Sequence, residues 1–494
     1  MKIAQVGTFD LDNLGDLLFP WVTSRLLRSV LGDDIVYDCF SPTSSSDIYP
    51  DQVPCSAIST LDKFGDPNFY DVILIGGGDL LRDDDYSLYP IYGDNAPDLT
   101  FSHIVSPTKV PNARLALLGV GLPYNVSDDF ALYLKNSFSR MSHASVRDSR
   151  SAAFLGPCLR RKIDIVPDFV HSIPNFLPAE RCAGLVTEIL KLEPFEYICF
   201  QGHGDVAGSA SDAAKLLKRL EIELDKKIVL LEIGGCLGDT EYLTELSRIT
   251  GYKLISRKNV PYLTLEQKVA VIACSNGFIG SSLHGNIISN AYGVHNVSYV
   301  GKYSNKITSY FEDGGHGLLF ADFDELEAAS HAVSLLFSSF TPRKLPMAAQ
   351  KYTLIEDFVV AVLRPQSPRL VSECVFDDVI DSLYKVSHAK KSSREGIARQ
   401  QLLSKDQALA AEKENAVAQI SYRNKLLEEL REMLDAERDN SFRQITYRDK
   451  LIKELEAMLA AEKENCVQQV AYRDALIEQL NAKIVAATHN DAGL

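Results

Sequence analysis

Between Met1 and about Leu363, short apolar runs end in glycine or polar turns and give way to amphipathic helical stretches. In the first half the runs are Ile3–Val6, Val72–Ile75, Arg114–Leu118 and Ala144–Val146. Gly7, Gly76-Gly77-Gly78, Gly119-Val-Gly121 and Arg147-Asp148 follow them in turn. In the second half the runs are Tyr197–Phe200, Ile228–Leu231, Lys253–Ile255, Gly277–Ile279 and Asn296–Tyr299. Continuous apolar strands alternating with helices predict parallel sheet covered on both faces. Two such blocks predict an α/β fold of two doubly wound, Rossmann-like domains facing each other, residues 1–175 and 176–363. The seam is expected near Ile173–Leu190, where Pro174 and Pro178 interrupt the pattern. Ligands of such sheets sit beyond the carboxyl ends of the strands, so the turns after the strands are where chemistry is sought.

Past Leu363 the pattern changes. Residues 364–396 read as a linker opening with Arg364-Pro-Gln-Ser-Pro-Arg369, and Ile397 to Val485 holds neither proline nor glycine. Ala411-Glu-Lys-Glu-Asn415 recurs in related form at Ala436 and Ala461, and Tyr422-Arg-Asn-Lys-Leu-Leu427 at Tyr447 and Tyr472, a repeat of 25 residues. The apolar seam runs Ile420, Leu427, Leu434, Ile445, Ile452, Leu459, Val470, Ile477, Ile484, in steps of 7, 7 and 11. Seven turns per repeat is about 3.57 residues per turn, between a left-handed coiled coil and a straight helix. A long helix over 397–486 with an apolar stripe needs cover. A homo-oligomeric coiled coil is the expectation, with packing back onto the globular part as the alternative.

Charge and cysteine usage narrow the function classes. The 494 residues include 51 basic and 66 acidic ones, a net charge of −15. An acidic surface repels phosphate backbones and argues against nucleic-acid binding, but leaves room for a local small-anion pocket. The nine cysteines form no CxxC and no Cys/His cluster. Neither a zinc site nor a disulfide framework is indicated, and a reducing, cytoplasmic location is expected. The chain opens as a strand rather than a signal peptide, and no apolar run reaches the roughly 18 residues of a membrane span. Any membrane contact is expected to be peripheral.

The turns carry the candidate chemistry. Gly7-Thr-Phe-Asp-Leu-Asp-Asn-Leu-Gly-Asp16 leads from a strand into a helix, whose first turn offers free N–H groups and a positive dipole end. Asn13, Gly15 and Asp16 are therefore candidate substrate-loop residues, with a plain helix cap as the alternative for Asp16. Gly77, Gly78 and Asp79 follow a buried strand, where glycine lets a backbone approach a ligand. Neither this turn nor Gly119–Tyr124 forms GxGxxG, so no dinucleotide cofactor is called for. Gly202-His-Gly-Asp-Val-Ala-Gly208 reads equally as a phosphate loop or a tight turn. Arg147-Asp148 precede a helix expected to be Ser-capped, and Asp168 follows Ile163–Val166; a surface ion pair is the plainer reading. In Ser281-Ser-Leu-His-Gly-Asn-Ile287, His284 opens a small-residue helix. The neutral imidazole is favoured there and suits acid–base work or oxyanion binding, although a lone histidine is more often structural. Lys306, in Tyr303-Ser-Asn-Lys306, offers a cation for an anionic donor.

In this order the motifs resemble the polysaccharide pyruvyl transferase family over roughly Met1–Phe340. Its Asn-x-Gly-Asp is matched by Asn13-Leu-Gly15-Asp16, its Gly-Gly-Gly by Gly76–Gly78, and its Val-Arg-Asp with a following Ser by Val146-Arg147-Asp148 and Ser151. Asp-Pro-Ala-Phe is matched in part by Pro167-Asp168-Phe169. Ser-Arg-Leu-His-Gly with a downstream Gly-Val-Pro and Lys is matched by Ser281–Gly285, Gly293-Val294 and Lys306. The resemblance implies a glycosyltransferase B-like arrangement. It also implies transfer of pyruvate from phosphoenolpyruvate onto two hydroxyls of one sugar, as a cyclic ketal, in a bacterial surface polysaccharide or its precursor. By the same resemblance His284 is the acid/base, Asp16 and Asp168 bind or activate sugar hydroxyls, Arg147 and Lys306 hold the donor, and no metal or cofactor is required. Contact with membrane-bound glycan machinery would follow from such an acceptor.

Two positions depart from the family pattern: Ser282 stands where it has Arg, and His295 where it has Pro. Losing that Arg removes a bidentate clamp for phosphate or carboxylate, and Arg257, Lys302 or Lys306 would have to supply the charge. The departure keeps two other readings open: a glycosyltransferase using a nucleotide sugar, and a non-catalytic assembly protein carrying the coiled coil.

Overall fold

The computed structural model describes residues 1–61, 69–81, 113–122, 134, 141–159, 163–191, 193–204, 206–300, 305–339, 346–364, 443–479 and 481. The chain divides into two compact units, Met1–Leu370 and Val371–Leu494. Within the first unit lie two sheets. One comprises β1 (Lys2–Val6), β2 (Val36–Ser41), β3 (Cys55–Ala57), β4 (Val72–Gly76), β5 (Arg114–Val120), β6 (Met141–Val146) and β7 (Asp164–Ile165), ordered β3-β2-β1-β4-β5-β6-β7. The other comprises β8 (Tyr197–Phe200), β9 (Lys227–Leu231), β10 (Lys253–Ile255), β11 (Gly277–Ile279), β12 (His295–Tyr299) and β13 (Leu318–Phe320), ordered β10-β9-β8-β11-β12-β13. Every pairing is parallel. This is the doubly wound α/β architecture, with two parallel sheets, expected from the alternation of strands and helices.

Strand order fixes where a ligand can enter. In each sheet the winding reverses beside its first strand, between β1 and β4 and between β8 and β11. Crevices open at such switch points. Register makes the paired strands end within one residue of each other: Val6 lies beside Ile75, one short of the end of β4, and Ile279 beside Phe200. Gly7 and Gly77 therefore leave one sheet together, and Gln201 and Gly280 leave the other together.

Among the described residues, apolar cover comes in three clusters. Leu17, Trp21, Val170, Val186, Val269, Ile287 and Val359 belong to one that also takes in residues of both sheets, such as Ile3 and Leu231. Two further clusters include Ile73 and Leu117 of the first sheet, and Ile198 and Leu230 of the second. Central strands are buried on both sides, as the unbroken run Val72–Gly76 shows. The Pro346–Leu363 helix buries Ile355, Phe358, Val359 and Val362, and Arg114 at the start of β5 donates to the carbonyls of Val362, Leu363 and Arg364 at its end.

Between the sheets, Pro174 lies inside a 3-10 helix, Phe169–Asn175, and Pro178 is the cap of the helix Ala179–Leu190. The interruption seen in the sequence is therefore short, and an amphipathic helix burying Cys182, Val186 and Leu190 follows at once. In the second unit, 443–479 is helical and its side chains are exposed. Most of the linker, and the seam residues Ile420, Leu427, Leu434 and Ile484, lie outside the described residues. No described helix is long and apolar enough to cross a membrane.

Candidate active site

The loop after β1 is shaped by Asn13. Its backbone is extended (φ −134°, ψ 115°) and its Oδ1 accepts the Gly15 N–H at 3.1 Å, so Asn13 rather than Asp16 caps the Leu14–Leu31 helix. Asp16, in the first turn, keeps its carboxylate for the site. Gly15 is required by its neighbour: a Cβ there would overlap the His284 ring. Gly78 has φ +83°, and a Cβ on it would stand 3.0 Å from Asp16 Oδ1, so glycine at once permits the turn and admits the carboxylate. Gly77 turns beside it with φ +111°, against Phe19.

The loop after β11 supplies the histidine. Ser282 caps the Leu283–Tyr292 helix, its Oγ accepting the Gly285 N–H at 3.3 Å while its own N–H donates to Gln201 Oε1 at 3.0 Å. Ser282, with its short hydroxyl, thus serves here as a helix cap. His284 Nε2 lies 3.6 Å from Asp168 Oδ2, close enough for an ion pair but too far for a hydrogen bond. That nitrogen is buried and has no hydrogen-bond partner among the described residues. Phe19 meets the ring edge-on at 5.4 Å.

Asp168 caps the Phe169–Asn175 turn through the Val170 N–H at 3.1 Å. The Arg147 guanidinium, whose side chain is 5% exposed, clamps Asp79 and reaches Asp168 Oδ2 at 3.4 Å. Lys306 Nζ stands 4.0 Å from Asp79 Oδ2. The structure therefore brings Asn13, Gly15, Asp16, Gly77, Gly78, Asp79, Arg147, Asp168, Ser282, His284 and Lys306 to one place.

Their charges are unequal. Burial alone would raise the Asp168 carboxyl, but His284, Arg147 and the Val170 N–H outweigh it and bring it down to about 2. Burial dominates at Asp16, which is pushed up to about 6 although surface remains accessible; Asp79 adds to the rise, and His284, Lys306 and Arg147 oppose it. For Arg147 burial opposes the charge, but Asp79, Asp168 and Asp148 together raise its pKa. At neutral pH Asp168 is a fixed anion, and Asp16 is the carboxyl that changes its proton near pH 6.

A stability test follows from Asp16. Its folded value lies above the ordinary 3.8, so the folded chain keeps a proton that the unfolded chain has lost. Stability falls as pH rises through about 4 to 6, and above that window the ionised carboxylate costs about 1–3 kcal/mol. Asp16→Asn should raise Tm at pH 7.5 and leave it nearly unchanged at pH 4. A variant less stable at pH 7.5 would show that the carboxylate is well satisfied in the folded chain.

Arg257 lies elsewhere. It donates to the Ile48 carbonyl at 3.2 Å and stands 3.9 Å from Asp12 Oδ2, with no described contact to His284 or Lys306. Lys302 is outside the described residues. The Ser-capped helix expected after Arg147 is capped by Asp148 instead: Asp148 Oδ1 accepts the Ser151 N–H at 2.7 Å, and Ser151 Oγ accepts the Leu122 N–H at 3.0 Å. The reason is reach, since a residue just before the helix can turn back on the first N–H groups and Ser151 cannot.

Other polar groups were missed. His171 is buried, stacks on Tyr310 at 5.8 Å and lies 3.2 Å from Lys351 Nζ; burial and that lysine push it down to about 3. Lys268 and Tyr49 back the carboxylate of Asp12. A lysine in the apolar stretch Lys268-Val-Ala-Val-Ile-Ala273 was a readable signal; nothing local links His171 with Lys351.

The model of the polysaccharide pyruvyl transferase family matches residues 13–301, which include every residue of the His284 cluster except Lys306. A search of curated proteins finds no match. Among solved structures, a UDP-N-acetylglucosamine 2-epimerase from Rickettsia bellii is 11% identical, with a TM-score of 0.49 over 73% of this chain and 95% of that one. The E. coli heptosyltransferase WaaC is 13% identical, with a TM-score of 0.37 over 68% of this chain and 99% of that one. MnaA from S. aureus, solved with UDP, is 10% identical, with a TM-score of 0.47 over 75% and 100%. Likenesses this distant carry no functional weight.

Proposed function

We propose, from the premise that the chain belongs to the polysaccharide pyruvyl transferase family, that it moves pyruvate from phosphoenolpyruvate onto two hydroxyls of one sugar. A polysaccharide-modifying transferase is what membership supports; the donor, the ketal and the residue roles are this reading. The observation that carries it is His284 Nε2, buried without a hydrogen-bond partner among the described residues and facing Asp168. Buried polar nitrogens are normally satisfied, and one left open beside a fixed anion is suited to passing a proton to a substrate.

In the reaction, the enol methylene carbon takes a proton and the adjacent carbon becomes oxocarbenium-like. One sugar hydroxyl adds there and loses its proton. The carbon–oxygen bond to phosphate breaks, and the second hydroxyl adds to close the ketal. One hydroxyl proton balances the new methyl C–H bond and the other leaves with phosphate. His284 carries these protons, and Asp168 stabilises the imidazolium, as in other acid–base pairs. Asp16 accepts a hydrogen bond from an acceptor hydroxyl. Arg147 is already shared between two carboxylates, so Lys306, 40% exposed, is the stronger attraction for the donor's negative charge.

The test is acceptor-dependent phosphate release from phosphoenolpyruvate, with the pyruvylated glycan identified by mass spectrometry. His284→Ala should lower this rate about a hundredfold or more in a chain that remains folded, with circular dichroism as the control. Near-normal turnover would remove His284 from the mechanism. Transfer from nucleotide sugars alone would replace the reading with a glycosyltransferase.

A further inference from the structure

A fully buried lysine is left unused by this reaction. Lys268 is 0% exposed. Its Nζ donates to Tyr49 Oη at 2.7 Å, and that hydroxyl donates to Asp12 Oδ1 at 2.7 Å. Burial pulls the lysine down, and Asp12, Glu232 and Asp239 draw it back up. Removing an ammonium group from water costs several kcal/mol before pairing, and groups perturbed in this way cluster where side-chain orientation serves function. The carboxylate held at the end of this relay is next to the cap residue Asn13. Its other oxygen, Oδ2, is 3.9 Å from Arg257 Nε, and a Cβ on Gly235 would come within 2.8 Å of it. Asp12 is thus fixed from behind, with room in front only because residue 235 is glycine.

Beyond Arg257 opens a polar cleft of about 390 Å³, lined by Asp47, Ile48 and Pro50 from the first half of the globular unit and by Arg257, Tyr262 and Leu263 from the second. Tyr262 is 89% exposed with φ +55°. Left-handed backbone costs a non-glycine residue about 1–2 kcal/mol, and an exposed ring recovers none of that by burial. An aromatic face takes the C–H face of a sugar ring, while Arg257, a carboxylate and the Ile48 carbonyl offer donors and acceptors to hydroxyls. The loop after β1 links the cleft to the His284 site: Arg257 stands 3.9 Å from Asp12, and three residues on, a Cβ on Gly15 would overlap the His284 ring.

We propose that Arg257 and Tyr262, with Asp47 and Ile48 beside them, form a second glycan subsite, holding the sugars of the acceptor chain that neighbour the one being modified, and that Asp12 orients the Arg257 guanidinium from behind. This rests on the acceptor being a glycan. It reassigns Arg257 from donor to acceptor and gives the Lys268–Tyr49 relay a positioning role.

The test uses the full chain without donor and bacterial surface oligosaccharides, from single sugars to hexasaccharides, read by saturation-transfer NMR. Tyr262→Gly relieves the left-handed backbone, so its Tm should hold or rise, while affinity for the longer chains falls about tenfold. Tyr49→Phe removes the hydroxyl that fixes Asp12 and also the acceptor of the Lys268 ammonium, so its Tm is measured alongside; in the folded variant the same binding should weaken about threefold. Unchanged affinity in Tyr262→Gly, or no binding of any oligosaccharide by the unmodified chain, overturns the subsite. Tyr262-dependent binding without turnover of phosphoenolpyruvate would keep the subsite and remove the pyruvyl reading instead.

Discussion

Asp168→Ala should destabilise the globular unit by about 3–5 kcal/mol at pH 7, the range for removing one partner of a buried ion pair. Asp168 caps the Phe169–Asn175 turn, accepts from Arg147 and faces His284, all at a buried position. Without it, Arg147 keeps Asp79 alone and the Val170 N–H loses its acceptor. The carboxyl is depressed to about 2 from 3.8, so its stabilisation is present above about pH 4 and is lost as pH falls toward 2. Urea unfolding should therefore show a larger gap between unmodified chain and variant at pH 7 than at pH 3. Asp168→Asn keeps the cap and loses the charge, which separates the two contributions. A loss below about 1 kcal/mol in Asp168→Ala would mean that Asp79 alone satisfies the guanidinium.

What the sequence disclosed, and what it hid, follows from where each residue lies in the sheets. Central strands such as β4 and β8 are buried on both faces, so their apolar runs stand out. Three strands do not stand out in the sequence. β2 carries Asp38 within its run, and β3 and β13 have only three residues each at sheet edges. For the site, residues at strand ends were found because parallel sheets put function there, and His284, Gly15 and Asp168 were legible on that ground. Partner choice was not, because it depends on backbone angles set by packing. Arg147 reaches Asp79 and Asp168 rather than its neighbour Asp148 acting as a surface pair, and Asn13 rather than Asp16 takes the cap. Arg257 follows β10, the edge strand of the second sheet, whereas Ser282 and Lys306 follow β11 and β12 on the other side of its switch point. Treating all strand-end turns as equal loses that distinction.

Cutting the chain after Arg364 should turn an oligomer into monomers while leaving the globular unit folded. The helix at 443–479 presents Ile445, Ile452, Leu459, Val470 and Ile477, each between 49% and 57% exposed, in the 7, 7, 11, 7 spacing of the repeat. At about 1.5 Å per residue such a helix runs roughly 50 Å. An apolar strip of that length left in water is rare in monomers. Interspersed charge of both signs, 12 basic and 15 acidic residues from Ala411 to Val485, suits a partner of the same sequence, since each acidic position can meet a basic one by a shift along the helix. The cut belongs after Arg364 because Arg114 holds the carbonyls of Val362, Leu363 and Arg364 at 3.1, 3.3 and 2.7 Å. A shorter chain would strip the end from a helix that buries Val362 and Leu363. Light scattering at equal molar concentration, with Tm measured alongside, decides the matter. Full chain and truncated chain of the same subunit number would place the interface in the globular unit and leave the apolar strip for a different protein.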